Sequence, residues 1–198
     1  TDTSNALIRK IDVTDNAVTT VAGLTGNFGG NDGDAATARF GTPRDIAFVT
    51  GALYVSDPGT HTIRKVDLVA GSGSATFVTT LAGASGQVGT QDGSDAAARF
   101  SSPYGISINA AGTTLAVSNF GSDVISKITI GTAAVDADFA GATEVRGYAD
   151  NANGTLATFS YPRGIVTDIN GVSFVADSLN NSIRRIEANG AVTLYAGD

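Results

Sequence analysis

The residues able to do chemistry are few, and most recur at fixed spacing. Two loops, Gly30-Asn31-Asp32-Gly33-Asp34 and Gln91-Asp92-Gly93-Ser94-Asp95, gather carboxylates around a glycine. Oxygen donors on a glycine-containing turn suit calcium, so Asp32, Asp34, Asp92 and Asp95 are candidate metal ligands, although the twelve-residue EF-hand spacing and its closing Glu are missing. The competing reading is architectural: Asp-Gly forms the turn, and the carboxylate accepts backbone N–H groups or pairs with Arg39 and Arg99. A third copy of the loop ends at Asp150, with Thr158 where the arginine stood, so this pairing leaves Asp150 without a partner. Asp57, Asn119 and Asp177 form a second set at one register, able either to ring an ion or to cap turns. His61 is the only imidazole, which excludes a multi-histidine zinc site. No Gly-x-Ser-x-Gly elbow is present to support a Ser-His-Asp triad. Arg9, Arg64 and Arg184, with Lys10, Lys65, Lys127 and Arg185, make a recurring basic register, expected to pair with Asp12, Asp67 and Glu187 or to lie over the sheet surface.

These residues belong to a repeat. Ile8-Arg9-Lys10-Ile11, Ile63-Arg64-Lys65-Val66, Ile125-Ser126-Lys127-Ile128 and Ile183-Arg184-Arg185-Ile186 begin 55, 62 and 58 residues apart. Each is preceded six positions earlier by Asp2, Asp57, Asn119 or Asp177 and followed by an Ala-Gly pair ending at Gly23, Gly83, Gly141 or Gly197. Phe40-x-x-Pro43, Phe100-x-x-Pro103 and Phe159-x-x-Pro162 hold a further register. The segments between turn residues are short and rich in β-branched and aromatic side chains, which predicts four strands per repeat. In the Ile-Arg-Lys-Ile strand the apolar residues stand three apart, a spacing that requires a bulge or strong twist. Four short antiparallel strands repeated at this period form a blade of a β-propeller, and blades must stack to bury both faces.

The composition sets outer limits. Twelve Lys and Arg against nineteen Asp and Glu give a net charge of −7, which disfavours nucleic acid as a partner. No run approaches the roughly 20 apolar residues of a membrane-spanning helix, so no membrane insertion is expected. The absence of cysteine excludes a disulfide framework. With few lysines and abundant small polar residues, the chain reads as extracellular or cell-surface.

Pro162-Arg163-Gly164-Ile165, Phe174-Val175-Ala176-Asp177, Asn181-Ser182-Ile183-Arg184-Arg185-Ile186 and Val192 to Gly197 resemble the NHL-repeat family across nearly the whole chain. The name-giving histidine survives only as His61, Ser126 replaces an arginine of the pattern, and Asp45 stands where the other copies have Gly105 and Gly164. The resemblance implies an all-β propeller of four-stranded antiparallel NHL-type blades. The chain then divides into a half blade (1–23) and three blades (24–83, 84–141 and 142–198), three and a half in all. Closed rings carry about four to eight blades, so the expected setting is a larger ring, a longer chain or a filament. The expected function is that of a non-catalytic interaction and structural module whose partners are proteins, including other copies of itself, with no cofactor apart from calcium. The alternative is a hydrolase resembling the lactonase-like propellers, with a divalent ion near the central channel held by Asp57, Asn119 and Asp177.

Overall fold

The computed structural model describes residues 1–197, and its regular structure is almost entirely β. Asp198, the last residue of the fourth expected unit, lies outside the described residues. The first sheet pairs β1 (Ile8–Ile11) with β2 (Val18–Ala22). The second contains β3 (Gly33–Asp34), β4 (Asp45–Val49), β5 (Ala52–Asp57), β6 (Thr62–Leu68) and β7 (Ala75–Ala82) in the spatial order β3-β7-β6-β5-β4. The third repeats that order with β8 (Gly93–Ser94), β9 (Pro103–Ile108), β10 (Thr114–Asn119), β11 (Val124–Thr129) and β12 (Ala134–Ala140). The fourth is the meander β13 (Pro162–Thr167), β14 (Ser173–Asp177), β15 (Ser182–Ile186) and β16 (Val192–Ala196). All ladders within the sheets are antiparallel, and β4, β9 and β13 pack side by side as the inner strands.

The Ile-Arg-Lys strand bends as its spacing requires: the register shifts after Ile8, Ile63, Ile125 and Ile183. In the second and third sheets the bulge lets isoleucine and the apolar residue three positions later both turn inward, Ile63 with Val66 and Ile125 with Ile128, whereas Ile11 of the first sheet stays exposed. The recurring Ala-Gly pair has a geometric cause as well. Gly23, Gly83, Gly141 and Gly197 have φ of 99°, 93°, 106° and 100°, and a Cβ on any of them would press on the carbonyl oxygen of Ala6, His61, Asp123 or Asn181. Only glycine meets both demands.

The core lies between sheets. Ile8, Phe40, Val55 and Val66 close the first junction; Tyr54, Ile63, Phe100, Leu115 and Ile128 the second; Ile125, Phe159, Val175 and Ile186 the third. The phenylalanines of the Phe-x-x-Pro motif are at most 1% exposed. Full burial of each is worth about 2–3 kcal/mol, so one residue from every repeat locks its sheet to the preceding one.

Candidate functional site

The recurring arginine is buried in the second and fourth sheets and partly buried, as Arg9, in the first. Arg64 and Arg184 have no exposed side-chain surface. Arg64 donates from Nη1 to the Arg39 carbonyl at 2.7 Å and from Nη2 to Asp32 Oδ1 at 2.8 Å. Arg184 donates to the Thr158 and Ala149 carbonyls, to Asp150 Oδ1 at 2.6 Å and to Asp177 Oδ2 at 3.1 Å. Each guanidinium also lies over its Phe-x-x-Pro ring, 5.3 Å from Phe40 and 5.2 Å from Phe159. Two expectations are corrected here. Asp32 pairs with Arg64 and not with Arg39, which caps the Ala36 and Ala38 carbonyls; Asp150 keeps a partner because its arginine comes from the β15 strand. The exposed charges of the same strands do pair along the chain, Lys65 with Asp67 at 2.7 Å and Arg185 with Glu187.

The second set of candidates lies within the sheets. Asp57, with no exposed surface, accepts the Gly41 N–H on Oδ2 at 2.8 Å and the Thr42 N–H on Oδ1 at 2.7 Å. Asp177 accepts the Ser160 N–H at 2.7 Å, Asn180 Nδ2 and Arg184; burial pushes its carboxyl above the usual range against those three contacts. Asn119, 1% exposed, donates to Ser126 Oγ at 2.8 Å. Asp57 and Asp177 therefore brace the Phe-x-x-Pro turns of their own sheets, whereas the Asn119 side chain reaches Ser126 on the neighbouring strand.

Asp34 caps its own short turn, accepting the N–H groups of Ala36 and Thr37 and the Thr37 hydroxyl, and that hydroxyl in particular holds its carboxyl below the usual range. Asp95 opens a 3-10 turn with φ of 49° and sends its carbonyl to the Gly83 N–H. Asp92 accepts the Ala137 N–H at 2.7 Å. Its carboxylate lies with those of Asp136 and Asp138, the ligand oxygens all within 4.8 Å of one another.

His61 acts between sheets. Its backbone is left-handed, with φ of 58°, and Nδ1 accepts the Ser102 N–H of the next sheet at 3.1 Å. Asp123 occupies the same position one repeat later, with φ of 60°, and accepts the Tyr161 N–H at 2.8 Å. Burial lowers the His61 pKa, with Asp57 opposing. An imidazole holding a proton acceptor toward an amide must be neutral on that nitrogen, so geometry and burial favour the same protonation state.

The remaining cluster escapes sequence reading. Arg44, Tyr104 and Arg163 are the residues after the three motif prolines, at the start of the inner strands. Tyr104 packs on Phe120 at 5.9 Å, and Phe120 on Tyr161 at 4.6 Å. Arg44 and Arg163 flank the Tyr104 ring at 5.3 and 5.6 Å, and Arg146 covers Tyr161 at 4.1 Å. Arg146 also pairs with the buried Asp123. Arg44 and Arg163 are exposed and have no carboxylate partner among the described residues. These contacts form an aromatic platform flanked by arginines that lie outside the repeating basic register. The available signal was the variable position of Pro-x-Gly.

No protein-family model matches the chain, and no curated protein matches it in sequence. Solved structures do resemble it. A Bacteroides thetaiotaomicron protein of unknown function shares 24% identity with a TM-score of 0.72, covering 96% of this chain and 43% of its own. An auxiliary nutrient binding protein from the same organism shares 20% identity with a TM-score of 0.72, covering 98% and 44%. A gluconolactonase from Xanthomonas campestris shares 16% identity with a TM-score of 0.58, covering 97% and 55%. The chain thus spans less than half the length of the first two. At these identities the likeness is one of fold, and the stacked antiparallel sheets are those of a β-propeller.

Proposed function

We propose that this chain is a non-catalytic β-propeller interaction module of NHL type that works as part of a larger ring. One observation carries the reading. In the second sheet, Tyr54, Ile63 and Ala82 are at most 3% exposed because the third sheet covers them. The residues at the same registers in the fourth sheet are Phe174, Ile183 and Ala196, and Ile183 is 36% exposed with Ala196 open to solvent beside it. An apolar blade flank is built to be covered by another blade. At the other end of the stack, β1 pairs only with β2 among the described residues, leaving a strand edge suited to pairing with a further strand. Other copies of the chain, or further blades of a longer one, have the chemistry to supply both.

The arginine and aromatic cluster is the surface on which such a module would engage a second protein. Two unpaired guanidiniums beside a tyrosine suit carboxylates on an acidic protein segment, through bidentate contacts that lysine would not reproduce. The non-catalytic reading is supported by the state of Asp57 and Asp177, buried carboxylates bound to backbone and side-chain donors. Native mass spectrometry tests the ring: particles heavier than the 19.9 kDa monomer are expected, and a stable lone monomer whose apolar flank stays protected in hydrogen exchange would sink it. An ester and lactone screen tests the absence of catalysis, since turnover abolished by Asp177→Asn in a folded variant would reverse the reading. For the arginine and aromatic cluster, Arg44→Ala with Arg163→Ala should weaken binding to an acidic peptide such as oligoglutamate at least about tenfold, with little change in stability.

A further inference from the structure

We propose that the cleft between the third and fourth sheets binds a small monocarboxylate with a compact apolar body, its charge taken by Lys127. The cleft has a volume of about 160 Å³. Leu115, Ala116 and Phe139 wall it from the third sheet, and Gly171, Ser173 and Ala188 from the fourth. Because both walls belong to this chain, the site does not require the ring to be completed. A cavity of about 150 Å³ is enough to take up benzene, so the space suits a body of that size.

Two departures from the repeat coincide at this cleft. The first makes the room. Tyr54 stands opposite Lys65 in the second sheet and Phe174 opposite Arg185 in the fourth, but Ala116 stands opposite Lys127 in the third. Tyr54 is 3% exposed and belongs to the core of its own junction. Phe174 packs edge-on against Tyr195, with ring centroids 4.8 Å apart. Alanine at this register removes the ring, while Phe139, which precedes Ala140 as Tyr195 precedes Ala196, stays as a wall.

The second departure frees the charge. Lys65 pairs with Asp67 and Arg185 with Glu187, each two residues further along its strand. The third sheet has Thr129 at that position, and Lys127 forms no ion pair among the described residues. Its half-buried side chain lines the cleft, and Nζ lies over the Phe139 ring at 4.7 Å. Asp136 stands across from Lys127 on β12 but is not part of the cleft wall, which contains no carboxylate among the described residues. On the facing wall the Thr167 and Ser173 hydroxyls share one hydrogen bond at 2.9 Å, so whichever donates, one O–H is left for a ligand. An ammonium and a hydroxyl with no acid beside them match the two oxygens of a carboxylate through charge-assisted hydrogen bonds. The apolar walls take the body, and they would leave a second ligand charge without a partner, which selects a monoanion.

Titration of the intact chain with sodium benzoate, followed by calorimetry and by the amide NMR shifts of Gly171 and Ala188, tests the proposal. One saturable site per chain is expected. Lys127→Gln should weaken it at least about tenfold, and Asp136→Asn, which removes a carboxylate competing for the ammonium, should tighten it. Ala116→Phe should rebuild the packing that Phe174 makes beside Tyr195 and abolish binding, with the fold retained by circular dichroism. Lys65→Gln, at the same register of the second sheet, should leave affinity unchanged. The proposal falls if tens of millimolar benzoate gives no saturable shift at those amides, or if Lys127→Gln binds as well as the parent chain. It also falls if neutral benzamide binds as tightly as benzoate, since the ammonium would then have no part in recognition. Should Ala116→Phe fail to fold, Lys127→Gln and the benzamide comparison decide, because neither disturbs the core.

Discussion

Replacing Arg184 by serine should be among the most damaging single changes in this protein, and replacing Asp177 at the same time should recover much of the loss. Arg184 and Asp177 are both fully buried, whereas Asp150 remains 48% exposed at its side chain. Losing Arg184 would leave Asp177 charged and buried, with the Thr158 and Ala149 carbonyls short of a donor. Removing one partner of a buried pair costs about 3–5 kcal/mol, while the solvent-screened contact to Asp150 adds little. With Asp177→Asn present as well, the uncompensated charge is gone. The third sheet already uses this combination, with Asn119 donating to Ser126. A coupling of about 2–3 kcal/mol is therefore expected in a double-mutant cycle measured by urea unfolding under circular dichroism. The pH dependence has a definite sign. Burial raises the folded pKa of Asp177 above its value of 3.8, so the stability tied to its protonated form is fully present below about pH 4 and lost as pH rises through the folded pKa. Without Arg184 that pKa rises further, and the cost of Arg184→Ser should shrink on going from pH 7 to pH 5. Single costs that add to within about 0.5 kcal/mol, or a cost unchanged with pH, would refute the reasoning.

Three further outcomes are expected. Gly105→Ala should destabilise by about 1–3 kcal/mol, because its Cβ would collide with the Arg163 carbonyl across the inner strands, whereas Gly164→Ala, with no atom within 4 Å, should change little; paired denaturation curves decide. His61 has a lowered folded pKa, so the stability it contributes is present above about pH 6.5 and lost as pH falls through the folded value. His61→Ala should cost about 1 kcal/mol at pH 7.5 and flatten the melting temperature between pH 7.5 and 5.5, as followed by calorimetry. Phe159→Ala, emptying a fully buried site, should cost about 3–5 kcal/mol and shift the urea midpoint accordingly.

Much of this architecture is legible in the sequence because it is repeated. A three-residue apolar spacing in a strand has few physical solutions, and the bulge after Ile63 and Ile183 is the one adopted. Ala-Gly reads as a turn, and the left-handed φ of Gly83 beside the His61 carbonyl shows why no other residue fits. What could not be read was long-range polar pairing. Arg39 is close to Asp32 in sequence, yet Arg64 reaches Asp32, because β3 folds back against the outer strand β7 and brings the loop over the buried guanidinium. Likewise, Tyr104, Phe120 and Tyr161 come from unlike positions in their repeats, so periodicity hides a cluster that only stacking reveals.

The same logic explains why Ser126 is the informative departure. Its apolar neighbours behave like those of the other repeats: Ile125 and Ile128 are as buried as Ile63 and Val66. Packing alone therefore gives no reason for the lost arginine, and a buried ion pair exchanged for neutral groups can be close to neutral in stability. The exchange is incomplete, however. Asp177 becomes Asn119 and Arg184 becomes Ser126, but Asp92 keeps its charge and is joined by Asp136 and Asp138 at positions where the second and fourth sheets place no acid. The third sheet therefore gathers three carboxylates with no arginine among them, and Asp92 and Asp138 add to burial in holding the Asp136 carboxyl above its usual range.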